Sequence, residues 1–334
     1  MARPAGRAAR LIKSVRTLVI SDVHLGQGGG VSVLTRPRPL AKLLEALDEH
    51  DRLVLLGDTV EMQESRAEQA FAVAEPVIRA IAEHLGDDKQ VLLVAGNHDH
   101  KLVRDWARDV GPALERENIV PADASSWLET LVSWFEATSV ELHYPGVWLG
   151  ERIWATHGHY LNHYLRPVSS YGLYPRKPIK PASPAETEYI ATGHREPPHL
   201  RDGMLPERWL DRHIPTRFAP INSFLLDRQM QRHALPAMLG VAQALDVEAD
   251  YLIFGHVHRR GPRESDRQAW WTGSHGQPRL LNTGSWRYEP VIVRGLDGSA
   301  PYWPGGAVSI GEDGVPRSVG LLDGLSEKEL VAVI

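Results

Sequence analysis

Five short apolar runs in this chain end in the same kind of residue, and that recurrence limits the fold more than any other feature. Leu18-Val-Ile20 leads into Ser21-Asp22-Val23-His24, and Arg52-Leu-Val-Leu-Leu56 into Gly57-Asp58. Gln90-Val-Leu-Leu-Val-Ala95 leads into Gly96-Asn97-His98-Asp99-His100, Arg152–Thr156 into His157-Gly158-His159, and Asp250-Tyr-Leu-Ile-Phe254 into Gly255-His256-Val257-His258. Runs rich in Val, Ile and Leu, bounded by Gly clusters, read as buried strands. Alternation along a strand puts residues i and i+2 on one side, so Asp22 and His24 point the same way.

Between these runs the apolar spacing is helical. Pro39–His50 carries Leu40, Leu43, Leu44 and Leu47 on one face, and Glu64–Leu85 carries Ala70, Phe71, Ala74, Val77, Ile78, Ile81 and Leu85, with Pro76 expected to kink or divide it. Strand and helix alternating over short connections predict an α/β fold with a largely parallel sheet, whose ligands bind beyond the carboxyl ends of the strands. Asp22, His24, Asp58, Asn97 and His98 all fall there. Lys101–Asp109, Ser125–Ala137 and Asn222–Leu245 also read as helices. The stripe Trp127, Leu128, Leu131, Trp134 and Phe135 in the second of these is read as core packing. Ser139–His143 and Val147–Thr156 alternate as strands. The β-like runs Gln268–Thr272, Arg279–Thr283, Pro290–Arg294 and Ala307–Ile310 suggest a second sheet built mostly from the C-terminal half.

Composition narrows the chemistry. The 334 residues include no cysteine, which excludes disulfides and thiolate ligands, so any metal must sit on His, Asp, Glu or Asn. The absence of cysteine suits a cytoplasmic protein. The formal net charge of -5 gives no signal for nucleic acid as a partner. No apolar run approaches the length of a membrane span. Residues 1–16 are basic, lack a continuous apolar stretch, and read as a flexible lead-in to one domain over 17–334. Within it, Tyr160–Pro220 holds ten of the 24 prolines, is net basic, and shows little periodicity. It reads as a lid or insert over 160–220, with Tyr160, Tyr164, Tyr171 and Tyr174 available to cover a substrate.

The strand-end set of Asp22, His24, Asp58, Asn97, His157, His256 and His258 offers oxygen and nitrogen donors without sulfur, a mix that suits manganese, iron, zinc or nickel better than calcium, manganese being the first expectation. Seven ligands are too many for one ion but suit two ions about 3.5–4 Å apart that clamp a phosphoryl group and activate water. His157 is preferred to His159 and His163 because it directly follows its strand; His100 and His275 are read as surface or supporting residues. No Gly-x-Ser-x-Gly elbow supports a serine hydrolase.

In order and spacing, Asp22-x-His24, Gly57-Asp58, Gly96-Asn97-His98-Asp99, His157 and Gly255-His256-x-His258 resemble the calcineurin-like metallophosphoesterases, over roughly 17–286, with Asn282-Thr-Gly-Ser-Trp286 also similar. The resemblance implies a two-sheet β-sandwich flanked by helices, with a dinuclear site at one edge. It implies that Asp22, His24, Asp58 and His258 hold one metal and that Asp58, Asn97, His157 and His256 hold the other, Asp58 bridging. His98 would contact the phosphoryl oxygens and protonate the leaving oxygen, with Asp99 able to orient it. The layout is most similar to the UDP-2,3-diacylglucosamine pyrophosphohydrolase type, which carries a lid after the same His. The expected substrate is a phosphorylated small molecule or a lipid-linked phosphate. A nuclease or cyclic-nucleotide phosphodiesterase, or a non-catalytic scaffold of the same fold, are the alternative readings.

Overall fold

The computed structural model describes residues 15–28, 31–164, 183–191 and 216–332. Thirteen strands occur among them: β1 (Thr17–Ile20), β2 (Val31–Ser32), β3 (Arg52–Leu56), β4 (Gln90–Val94), β5 (Asn118–Val120), β6 (Ser139–Tyr144), β7 (Gly146–Gly150), β8 (Ile153–Thr156), β9 (Tyr251–Phe254), β10 (Arg279–Asn282), β11 (Arg287–Tyr288), β12 (Gly306–Ile310) and β13 (Pro316–Gly320). The larger sheet has the order β13-β12-β1-β3-β4-β6-β5, and the second the order β10-β9-β8-β7; β2 and β11 form a separate pair.

Side-chain alternation distributes the core into three layers. Leu18 and Ile20 of β1, with Leu53, Leu55, Val91 and Leu93, face outward onto helices Pro37–Asp48, Ala67–Leu85 and Ser126–Ser133. Val19, Val54, Leu56, Leu92 and Val94 face the other way and meet Val147, Leu149, Ile153, Ala155, Ile253 and Leu281 of the second sheet. Trp154, Leu252, Phe254 and Leu280 cover the far side of that sheet and pack under helix Leu235–Ala244. The expected two-sheet sandwich flanked by helices is what the chain forms.

Register fixes the site. In the first sheet β1, β3 and β4 run parallel, with Ile20 beside Leu55 and Leu56 beside Val94. In the second, Thr156, Phe254 and Asn282 stand in one row across β8, β9 and β10. The carboxyl ends of both sets emerge at one edge of the sandwich, and the loops leaving them carry the candidate ligands.

Several local expectations change. Helix Ala67–Leu85 runs unbroken through Pro76, which is exposed, as is Ala72, so the carbonyl that Pro76 leaves without a donor lies on the solvent side. Val147–Thr156 is a hairpin of β7 and β8 rather than one strand. Gln268–Trp271 is a 3₁₀ turn and Pro290–Val293 a short helix whose proline takes a first-turn position, where a missing N–H costs nothing. The second sheet draws two of its four strands from before residue 157, and Gly306–Ile310 joins the first sheet beside β1 instead. Of the 160–220 insert, only its start, the helix Pro184–Ala191 and its end lie within the described residues; Tyr171 and Tyr174, and most of the 1–16 lead-in, lie outside them. Among the described residues no helix is long and apolar enough to cross a membrane.

Candidate metal centre

Beyond β1 and β3 the two chains continue to pair. Asp22 N donates to Gly57 O (3.1 Å), His24 N to Asp58 O (2.8 Å) and Leu25 N to Thr59 O (3.0 Å). Asp22, His24, Asp58, His256 and His258 all take left-handed backbone conformations, with φ between 50° and 69°. Only three other non-glycine residues among those described do so. Such backbone is unfavourable for L-residues and gathers where function demands it. The flanking glycines let the strands close up. A Cβ at Gly57 would lie 2.5 Å from the His157 ring, and one at Gly255 would lie 2.5 Å from an Asp22 carboxylate oxygen.

The side chains form two groups. In the first, the ligand atoms of Asp22, His24 and His258 lie within 4.8 Å of one another; His258 Nε2 is 3.3 Å from Asp22 Oδ1 and 3.2 Å from His24 Nε2. In the second, Asp58, His157 and His256 are equally close, and Asn97 Oδ1 is 3.1 Å from His157 Nε2. Asp58 Oδ2 stands 3.1 Å from His157 Nε2 and 3.8 Å from His24 Nε2, so one carboxylate serves both groups. All seven ligands expected from the sequence therefore converge.

The opposite ring nitrogens of three of the four histidines are engaged. His24 Nδ1 meets Glu61 Oε2 at 3.2 Å, His258 Nδ1 meets Glu289 Oε1 at 2.7 Å, and His157 Nδ1 donates to Leu56 O at 3.0 Å. Carboxylate and carbonyl partners assign the proton to Nδ1 and leave Nε2 as a lone pair turned inward. The Nε2 atoms of His24 and His258, 3.2 Å apart, need a proton or a metal cation between them. That approach, with the oxygen-and-imidazole donor set, fits divalent metal.

Electrostatics agree. Burial would raise the Asp58 carboxyl, yet His157 and His98 hold it well below the usual carboxylate range. Asp22 is likewise lowered, with His157 and His258 outweighing burial. In return, Asp58 and Asp22 overcome burial and push His157 up to about 9, and Asp22 and Glu289 push His258 well above its ordinary value. The site demands positive charge, which is what a metal ion supplies.

Glu61 is the main residue that the sequence reading missed. It is fully buried. One oxygen takes His24 Nδ1 and His98 Nδ1 (2.7 Å), while the other accepts the amides of Gln63 (2.8 Å) and Glu64 (2.7 Å). Burial opposes its ionisation, but His98 and His24 lower its pKa far below the usual range. Asp99, expected to orient His98, accepts instead from Gly96 N (2.6 Å) and Thr59 N (2.7 Å). It clamps the loop after β4 to the loop after β3, and burial beside Asp58 raises it to about 6. Thr283 and Ser285 tie the second sheet to β1, through Ser21 Oγ (2.5 Å) and Asp22 O (3.0 Å). His275 is exposed, whereas His159 is buried with its ring centroid 5.6 Å from that of His157.

Two solved structures are similar at a low level. A cold-active protein-tyrosine phosphatase of a psychrophile, Shewanella sp., shares 13% identity at a TM-score of 0.32, covering 91% of this chain and 80% of that one. A single-residue mutant of a cold-active protein tyrosine phosphatase shares 12% identity at the same TM-score and coverage. Scores this low add nothing to the fold. No curated protein matches the chain. Residues 15–260 match the family model described as calcineurin-like phosphoesterase, well over half of the sequence, so the chain belongs to that family and is a metal-dependent hydrolase of phosphate esters.

Proposed function

We propose that the chain hydrolyses a phosphate ester or pyrophosphate linkage at a centre built for two divalent cations, manganese being favoured. The observation that carries this reading is Asp58, whose single Oδ2 lies 3.1 Å from His157 and 3.8 Å from His24. Asp22, His24, His258 and Asp58 would hold one ion; Asp58, Asn97, His157 and His256 would hold the other. Bound divalent cations supply Lewis-acid charge for a phosphoryl group and a water nucleophile at neutral pH.

The remaining work falls to the chain's own residues. Glu289 and Glu61 fix the tautomers of His258 and His24, so that Nε2 faces inward. His98 is 12% exposed, and its backbone N–H donates to Asp58 Oδ1 (2.8 Å), which anchors it beside both groups. Its Nδ1 is held by Glu61, and the buried carboxylate offers the negative charge with which a cationic imidazole pairs. Nε2 is then the atom that donates a proton to the leaving oxygen. The substrate is read as a phosphorylated small molecule or lipid-linked phosphate, and the absence of cysteine supports a cytoplasmic location.

Metal analysis combined with a panel of phosphomonoesters, phosphodiesters and pyrophosphates tests the proposal. Two ions per chain, turnover of at least one substrate class with manganese, and loss of that turnover to a chelator are expected. One ion per chain removes the dinuclear reading, and full activity after chelation removes the proposal.

A further inference from the structure

Behind the second group of ligands lies a buried polar cage that the hydrolytic chemistry above does not use. Its centre is Glu188 on Pro184–Ala191, the helix of the proline-rich insert. One carboxylate oxygen accepts from His100 Nε2 (2.7 Å); the other accepts the hydroxyls of Tyr144 (2.6 Å) and Tyr160. Tyr144 and Tyr160 are 0% and 2% exposed. The centroid of the His159 ring lies 4.7 Å from that of Tyr160, 6.4 Å from that of Tyr144 and 5.6 Å from that of His157.

The sequence positions of these partners give the cage its meaning. His100 follows Asn97-His98-Asp99 directly, on the loop after β4. His159 and Tyr160 follow His157 after Gly158, on the loop after β8. Tyr144 ends β6, the strand beside β4. One carboxylate from the insert thus binds the loop that carries Asn97 and the proposed proton donor, through His100, and the loop that carries His157, through Tyr160. A buried carboxylate with three donors is costly to assemble and costly to break, so it fixes its neighbours firmly. Apart from Glu188, its helix packs on the turns His159–Tyr164 and Gly111–Ala113 and, through Ala185, on the helix-covered side of the first sheet.

We infer that Glu188 is a positioning residue, through which the insert holds the Asn97–His100 and His157–Tyr160 loops in their catalytic arrangement. The helix bearing it belongs to the insert, so the insert takes part in setting the centre. The inference rests on the proposed assignment of Asn97, His98 and His157.

The test compares Glu188→Gln and Glu188→Asp with Glu186→Gln, a change on the same helix at an exposed residue whose carboxylate caps Ser183 N. Positional errors on the scale of an ångström cost about 10²-fold in rate. Glu188→Gln is therefore expected to lower kcat on a small aryl phosphate by about 10- to 100-fold, with KM little changed. Glu188→Asp, which restores the charge, should recover part of the loss, and Glu186→Gln should match the parent. Amide hydrogen exchange on metal-stripped protein gives a second readout, and residues 97–100 and 157–161 should exchange faster in Glu188→Gln alone. If that variant does not fold, Tyr144→Phe and Tyr160→Phe each remove one donor and should show the same exchange pattern more weakly. A lowered melting temperature with unchanged kcat and unchanged loop exchange overturns the inference. If the parent protein neither binds metal nor turns over any ester, the functional reading fails, and hydrogen exchange still decides whether Glu188 holds the loops.

Discussion

Replacing Glu61 by Gln separates its two effects within one site. The change is nearly isosteric, so packing is conserved. The amide oxygen can continue to accept from the amides of Gln63 and Glu64, now at 2.8 and 2.7 Å, but the amide nitrogen must then face His24 and His98. A donor facing their Nδ1 atoms forces each ring to carry its proton on Nε2. For His24 that places a proton where a lone pair meets the metal. Loss of such a supporting partner costs about 10- to 100-fold in metal affinity, or about 1.4–2.7 kcal/mol. For His98 it removes the negative charge that supports the cationic ring. Since the ring stays in the cleft, the loss in kcat should be about 10- to 100-fold, short of the 10²–10⁴-fold that loss of a general acid can cost. Manganese titration by calorimetry reads the first effect, and kcat at saturating manganese reads the second. An unaltered manganese affinity would show that Glu61 does not set the His24 tautomer. An unaltered kcat at saturation would show that His98 works without it.

Three further outcomes are expected. His98→Ala should keep both metals and lose about 10²–10⁴-fold in kcat, whereas Asp58→Ala should lose metal because it removes the carboxylate shared by both groups; equal metal loss in the two variants would make His98 a ligand. Gly57→Ala should unfold the site or abolish metal binding, because φ is +84° and the added carbon meets the His157 ring at 2.5 Å; a variant with parental metal content contradicts the close approach. Burial acts to raise Glu188, but His100 and the tyrosine hydroxyls outweigh it and lower the carboxyl from its ordinary 4.5 to about 2. A depressed carboxylate stabilises the fold fully above about pH 4.5 and loses that contribution as pH falls towards 2. The stability gap between parent and Glu188→Gln should therefore shrink by about 3 kcal/mol between pH 5 and pH 2 in denaturant titrations; a gap that is constant with pH would show that the carboxylate is not ionised in the cage.

The candidate ligands were legible in the sequence for a physical reason. A strand of a parallel layer is a short apolar run, and the residue after it is the first that can be polar, so ligand chemistry and strand end coincide. Asp22, Asp58, Asn97, His157 and His256 each follow such a run closely. Glu61, Glu289 and Glu188 were not legible because they act on the outer nitrogen of a histidine, and nothing in local spacing reveals which ring a distant carboxylate reaches. Asp99 shows the converse. It sits beside His98 in the chain, but its carboxylate turns back to two backbone amides, so adjacency suggested a partner that geometry denies. The hairpin at 146–156 was misread because alternation continues across a tight turn, and Pro290–Val293 because four apolar residues have no resolvable period.

The strained backbone shows how the site is sustained. Five left-handed residues, Asp22, His24, Asp58, His256 and His258, stand where glycine would be easier, and each costs on the order of 1 kcal/mol or more. Their offsets come from across the molecule. His256 N donates to Asp22 Oδ2 (2.9 Å), Trp286 N to Asp22 O (3.0 Å) and His98 N to Asp58 Oδ1 (2.8 Å). The first two join the second sheet and the loop that leaves it to the end of β1, and the third joins the ends of β3 and β4. None of these bonds forms within one strand–loop unit. The left-handed turns at Asp22 and His256 are therefore held together only when the sheets have docked through Val19, Val54, Ile253 and Leu281. A cavity cut into that inter-sheet layer, far from any ligand, should weaken the site together with the fold, because the same docking sustains both.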